Sequence, residues 1–99
     1  MRRGTTPTHT FETGIDLTSA VVLFMTYKQG KSTIVERDIH SIEVEPDKLI
    51  IKLTQEETLK FDLGKNVSIQ CRAKFADGTA IASDILDVRV CEILKEGEI

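Results

Sequence analysis

A stretch of alternating apolar and polar residues, from Val67 to Ile85, constrains the fold of this chain more than any other feature. Every second position in its first half carries an apolar side chain: Val67, Ile69, Cys71, Ala73 and Phe75. The positions between them are polar: Ser68, Gln70, Arg72 and Lys74. A period of two residues buries one face of a strand and leaves the other in water. Asp77-Gly78 then predicts a type I′ turn, because the pair tolerates the positive φ angles of that turn. The stretch therefore predicts a β-hairpin that serves as scaffold.

Short strands separated by turn signals are also predicted along the rest of the chain. Val21–Tyr27 is apolar at consecutive positions, which is typical of a strand covered on both faces, and Ser32–Arg37 returns after a turn. Pro46 stands at the second position of the predicted turn Glu45–Lys48, and Leu49–Leu53 alternates after it. Leu86–Val90 forms the last strand. This spacing of strands and turns predicts an all-β fold, either a β-sandwich or a small barrel.

Two local signals interrupt the strand pattern. Thr54 and Glu57 match a capping box, in which each side chain binds the backbone N–H of the other residue. Residues 54–60 are therefore predicted as one or two helical turns that cross between the sheets. The apolar phase shifts between Ile85 and Leu86, which indicates a β-bulge marked by Asp84 or Asp87.

Size and charge exclude several classes of protein. The 99 residues predict a single β-sandwich domain over 1–99, with an extended N-terminal arm at 1–10 and a polar tail at 95–99. The net charge of −3 opposes nucleic-acid binding, which needs a concentrated basic face. Val21–Met25 is too short an apolar run to span a membrane, and no apolar segment directly follows the charged start, as a secretory signal requires. Cys71 and Cys91 are expected to be reduced structural thiols, with a disulfide between neighbouring strands as the alternative.

No constellation of residues predicts an enzyme. The four potential zinc ligands are too widely spaced for a metal site: His9, His40, Cys71 and Cys91. The paired carboxylates Glu56 and Glu57 fit the solvated first turn of a helix better than acid–base catalysis. The chain contains no nucleophile motif and no glycine-rich phosphate loop. We therefore predict no catalytic residue, no metal ion and no cofactor.

Two groups of residues are candidates for contact with another protein. The first group lies in the N-terminal arm and comprises Arg2, Arg3, Thr5, Thr6, Pro7 and Thr8. The arm could be a frayed terminus, or an extended segment that adds to the sheet edge of a neighbour. The second group lies on the polar face of the predicted hairpin and comprises Gln70, Arg72 and Lys74. These side chains are either a contact surface or ordinary solubilising charges on an exposed sheet.

Short motifs along nearly the whole chain resemble small phage and prophage proteins of Gram-positive bacteria that are encoded among tail and baseplate genes. The chain is also similar to the immunoglobulin-like N-terminal domain of phage baseplate upper proteins. The residues that carry this resemblance are Arg2-Arg3-Gly4-Thr5-Thr6-Pro7, Phe11, Asp16-Leu17-Thr18, Val21–Tyr27, Leu53–Phe61, Gly64, Val67–Arg72, Asp77-Gly78-Thr79-Ala80 and Ser83.

The resemblance implies an immunoglobulin-like β-sandwich of about seven strands and a structural or assembly role in a virion. The implied partners are other tail or baseplate proteins, with a homo-oligomer as a further option, and the protein would be made in the bacterial cytoplasm. The alternative is a host-encoded β-sandwich module that recognises a peptide or a carbohydrate. Carbohydrate sites use aromatic platforms, so an exposed cluster of Tyr27 with Phe11 or Phe24 would favour that alternative.

Overall fold

A computed structural model describes residues 1–99 and confirms a mostly β fold. Its eight strands are β1 (Thr8–Glu12), β2 (Val22–Gln29), β3 (Ser32–Asp38), β4 (Glu43–Val44), β5 (Lys48–Lys52), β6 (Asn66–Lys74), β7 (Ala80–Ala82) and β8 (Leu86–Arg89). A 3₁₀ turn at Ile39–Ser41 follows β3, and helix α1 (Gln55–Leu59) joins β5 to β6.

The strands form two antiparallel sheets that pack as a sandwich. The first sheet has the order β1-β5-β4, and the second has the order β3-β2-β6, with both β7 and β8 on the far edge of β6. One core cluster of 15 buried residues fills the space between the sheets, with Tyr27, Phe61 and Leu23 among its largest fully buried side chains. The strand order corresponds to strands B-E-D and C′-C-F-G of an immunoglobulin-type sandwich. The position of strand A, beside β1, is not filled by this chain.

The predicted hairpin forms, but its turn is of another type. Gly78 N donates to Phe75 O at 3.0 Å, and Phe75 N donates to Thr79 O at 2.9 Å. Gly78 has a φ of +90°, whereas no residue other than glycine has a positive φ. A type I turn followed by a left-handed glycine fits these contacts, and type I′ is wrong because Asp77 does not enter the positive region.

The predicted bulge is confirmed between β7 and β8. Arg72 pairs with Ala82, and Ile69 pairs with Leu86. Three residues of advance along β6 therefore correspond to four residues of advance from β7 to β8. The extra residue lies in the segment 83–85, where Ser83 Oγ accepts from Cys71 N at 3.0 Å. The two short strands therefore act as one interrupted edge strand, which explains eight strands where about seven were predicted.

Strand β2 differs from its prediction because only one of its faces is covered. Leu23, Met25 and Tyr27 point into the core, whereas Val22 and Phe24 are 39% and 40% exposed. The second sheet has no layer packed on its outer side, so the apolar residues that face outward remain in contact with water. The apolar run correctly predicted a strand, but the predicted cover on both of its faces is wrong.

Helix α1 begins with the predicted capping box. Thr54 Oγ1 accepts from Glu57 N at 3.1 Å, and Glu57 Oε1 accepts from Thr54 N at 2.9 Å. Because β5 and β6 belong to different sheets, the helix is the predicted crossover. Glu57 also receives hydrogen bonds from Arg37 of β3, including one of 2.9 Å from Nε, and Arg37 Nη2 donates to Lys52 O at 2.9 Å. One guanidinium thus ties β3 to the helix and to the opposite sheet.

The N-terminal residues pack on their own chain. Thr8–Glu12 pair with β5, and Arg2 forms a parallel bridge with Cys91 directly after β8. Gly4 takes a φ of +69°, a conformation that favours glycine, and it packs closely against the side chain of Ile93. A frayed arm is therefore wrong, because hydrogen bonds hold residues 1–3 against the end of the last strand.

Candidate protein-interaction surfaces

A largely apolar groove of about 400 Å³ lies between the edges of the two sheets. Ten of its 14 lining residues are hydrophobic. Residues of β1 and the following loop form one wall, and residues of β6 and β7 form the other, among them Phe11, Ile15, Ile69, Cys71 and Ile81. We call this feature the edge groove. It lies beside β1, which corresponds to strand B, at the place where an immunoglobulin-type sandwich carries strand A.

Unpaired backbone groups line one side of the edge groove. Pro7 O accepts from Leu53 N at 3.0 Å, and Thr13 N donates to Asp47 O at 3.1 Å, so these residues bond toward β5. Bonded and non-bonded pairs alternate along an antiparallel ladder, so the N–H and C=O groups of Thr8, Thr10 and Glu12 point away from β5. No other strand pairs with this edge of β1. An extended peptide could therefore bind these groups as an additional strand.

The chemistry of the edge groove favours packing over reaction. Burial raises the pKa of the Cys71 thiol, which keeps the sulfur protonated and weakly nucleophilic near neutral pH. The carboxylates among the lining residues are Glu12 and Asp84, and both are exposed. The groove therefore offers apolar contact and a backbone edge to a ligand.

A second surface lies on the solvent-facing side of the second sheet, which we call the outer face. Phe24 lies directly between Asp38 of β3 and Arg72 of β6, and Val22 pairs with Lys74. The structure therefore places two of the predicted contact residues, Arg72 and Lys74, beside exposed apolar side chains. Gln70 is on the same face, where its Nε2 donates to Ser83 O at 3.0 Å. Sequence reasoning did not place Val22 and Phe24 beside Arg72 and Lys74, because the pairing of β2 with β6 joins residues that are distant in the chain.

The predicted contact residues of the N-terminal segment are largely engaged within the fold. Arg3 Nη2 donates to Leu59 O at 3.0 Å, and its guanidinium forms an ion pair of 2.9 Å with Glu96. Arg2 Nη1 donates to Glu92 O. The carbonyl oxygens of Thr5 and Pro7 accept hydrogen bonds from the buried Thr58 hydroxyl and from Leu53 N, respectively. Thr6 and Thr8 are exposed. Within this group, Thr8 provides free backbone groups at the edge groove.

The structure does not bring the two predicted groups together. Arg2 pairs with Cys91, which lies just beyond the first residue of β6, Asn66. Lys74 is the last residue of β6, at its opposite end. Eight residue steps of about 3.3 Å separate Asn66 from Lys74, a distance of about 26 Å. The two groups therefore belong to different surfaces.

The aromatic residues do not form an exposed cluster. Tyr27 is fully buried, and its Oη lies 2.8 Å from Nδ1 of His9, whose ring stacks on it with a centroid separation of 5.7 Å. Phe11 faces the edge groove from the inside of the sandwich, whereas Phe24 stands on the outer face. The stacking platform that would have favoured carbohydrate recognition is therefore not assembled from Tyr27.

Comparison with protein-family models, with curated proteins and with solved structures gives no significant match. None of the helices has the length and apolar character needed to cross a lipid bilayer. No group of three or more His, Cys, Asp and Glu side chains is close enough together to hold a metal ion.

Proposed function

We propose that this chain is a non-enzymatic structural or assembly component of a phage or prophage tail or baseplate, and that it acts through protein–protein contacts. The observation that carries the proposal is the edge groove beside the free edge of β1. Its occupant would be an extended, largely apolar segment of another tail or baseplate protein. The motifs that resemble phage tail proteins supply the class of partner.

The geometry suits strand addition for two reasons. Backbone groups of Thr8, Thr10 and Glu12 provide sequence-independent hydrogen bonds to an incoming strand. Alternate side chains of that strand would then enter the groove and contact Phe11 and Ile81. An uncovered sheet edge is also a hazard for aggregation, so a bound partner would protect the chain in the assembled particle.

Co-purification tests this proposal with matched variants. The affinity-tagged chain is co-expressed with each tail and baseplate protein encoded by the neighbouring genes. Ile15 and Leu86 line the groove and are 50% and 51% exposed, so Ile15→Asp and Leu86→Asp place a charge in the groove with little effect on folding. Leu63→Asp is the control, because Leu63 is 44% exposed and lies outside the groove.

We expect at least one of these proteins to co-purify with the unchanged chain and with Leu63→Asp. The yield of that protein should fall at least tenfold with Ile15→Asp and Leu86→Asp. Failure of all tail and baseplate proteins to bind would contradict the assembly role. Equal binding by the three variants would contradict the groove as the site.

A further inference from the structure

The outer face carries three parallel stripes of different chemistry. Glu36 and Asp38 of β3 form an acidic stripe, and Val22 and Phe24 of β2 form an apolar stripe. Arg72 and Lys74 of β6 form a basic stripe on the other side of β2. All six residues are exposed. The acidic and basic stripes are therefore separated by one strand with an apolar surface.

The charged side chains of the acidic and basic stripes have no ion-pair partner within the chain. The three salt bridges of the molecule join Arg3 to Glu96, Arg37 to Glu57 and Lys65 to Asp62. Asp38 Oδ1 accepts a hydrogen bond from His40 N, which leaves its negative charge uncompensated. Charges of opposite sign on both sides of an exposed apolar stripe favour a partner with the mirrored arrangement.

We propose that the outer face binds a second copy of this chain in an isologous dimer. A two-fold axis parallel to β2 places β2 on β2 of the partner subunit and exchanges the positions of β3 and β6. Asp38 in the acidic stripe of each copy then faces Arg72 in the basic stripe of the other. A two-fold axis across the strands would instead place stripes of equal charge against each other, which is unfavourable.

The strand register makes this match specific. Asp38 and Arg72 are both Cα partners of Phe24, so they stand in one row across the sheet. With the axis along β2, Asp38 faces the partner's Arg72, and symmetry repeats this ion pair on the other side. Phe24 meets the partner's Phe24 at the centre, and Ala80 and Ala82 of β7 leave room beside the basic stripe.

The size of the face indicates a weak dimer. Four strands spaced about 4.8 Å apart and about 26 Å long cover roughly 500 Å² per copy. Stable interfaces bury about 800 Å² per partner, so we expect a dissociation constant in the micromolar range or above. The outer face is separate from the edge groove, so this proposal holds or fails independently of the proposed function.

Analytical ultracentrifugation of the full chain, from about 10 µM to about 1 mM, tests the dimer. We expect reversible dimerisation that weakens with added salt, because the facing charges are screened.

Arg72→Asp and Asp38→Arg should each weaken dimerisation at least tenfold, because each variant places like charges opposite one another. The double variant in one chain should recover association, and so should an equimolar mixture of the two single variants. Lys52→Asp, on the other sheet, is the charge-matched control and should dimerise as the unchanged chain does.

Circular dichroism of each variant tests whether the fold is retained. Retention is expected because the changed side chains are exposed, and Asp38→Arg removes in addition only the hydrogen bond from His40 N. A chain that stays monomeric at 1 mM would overturn the proposal. Dimerisation unaffected by Arg72→Asp would also overturn it, as would a lack of recovery in both the double variant and the mixture. Binding of a different protein to this face, without self-association, would show that the second copy is the wrong occupant.

Discussion

At the scale of single residues, a hydrogen bond between His9 and Tyr27 joins the two sheets through the core. His9 Nδ1 lies 2.8 Å from Tyr27 Oη, and the two rings stack. The pKa of His9 is lowered from 6.5, first by desolvation and then by the positive charge of the amino terminus. Burial of the phenol likewise raises the pKa of Tyr27 well above its ordinary value, so both groups are neutral at pH 7.

This arrangement predicts a loss of stability in weak acid. Because the pKa of His9 is lower in the folded chain, the unfolded chain binds more protons as the pH falls below about 6.5. The free energy of unfolding should therefore decrease from pH 7.5 to pH 5.5. His9→Gln, which keeps a hydrogen-bonding group but does not titrate, should remove most of this decrease. Urea denaturation at several pH values measures the effect.

His40→Gln is the matched control for this experiment, because His40 is exposed in the 3₁₀ turn. We expect His40→Gln to keep the pH dependence of the unchanged chain. An identical decrease in stability for His9→Gln and for the unchanged chain would show that His9 does not cause it.

At the scale of elements, Glu57 stabilises helix α1 and ties it to β3 of the second sheet. Its carboxylate accepts from Thr54 N within the cap and from the Arg37 guanidinium on β3. The hydrogen bond from Arg37 is the main cause that lowers the pKa of Glu57 from 4.5. Hydrogen bonds to a charged group contribute about 1.5–3 kcal/mol each when they are largely shielded from water. The contact should therefore matter more than an exposed surface ion pair.

Glu57→Gln should lower the free energy of unfolding at pH 7 by about 2 kcal/mol, because the charge-assisted contact with Arg37 is lost. The stabilisation by Glu57 is complete above pH 4.5 and is lost as the pH falls through the lowered pKa of the folded chain. The difference between the unchanged chain and Glu57→Gln should therefore shrink in strong acid. Chemical denaturation at pH 7 and pH 3 measures it.

The control is Glu56→Gln, which removes an exposed carboxylate from the same turn. It should change the free energy of unfolding by less than about 0.5 kcal/mol. A similar small loss for both variants would mean that the Arg37 contact does not hold the crossover in place.

The elements also show which features the sequence predicts and which it does not. The capping box at Thr54, the turn at Pro46 and the alternation of β6 are local patterns, and each one formed as predicted. The outward exposure of Phe24 and the packing of the N-terminal segment depend on contacts between distant residues. The edge groove arises in the same way, because no segment of the chain fills the place of strand A. Periodicity identifies a buried face, but it does not show which layer covers the other.

At the scale of the whole molecule, the sandwich presents two separate surfaces for association. The edge groove combines an unpaired strand edge with apolar walls, and the outer face combines an apolar stripe with opposite charges on its two sides. A chain that joins another protein at one surface and a second copy at the other would connect neighbouring parts of an assembly. The central claim is that the free edge of β1 receives a strand from a tail or baseplate protein.

Residue-resolved hydrogen–deuterium exchange tests this claim most directly, with the chain alone and in complex with the tail or baseplate protein that co-purifies with it. We expect exchange at the amides of Thr8, Thr10 and Glu12 to slow at least tenfold in the complex, because strand addition gives these amides hydrogen-bond partners. The amides of Glu43 and Val44, on the opposite edge of the same sheet, should be unchanged. A stable complex in which the three β1 amides exchange as fast as in the free chain would contradict the account.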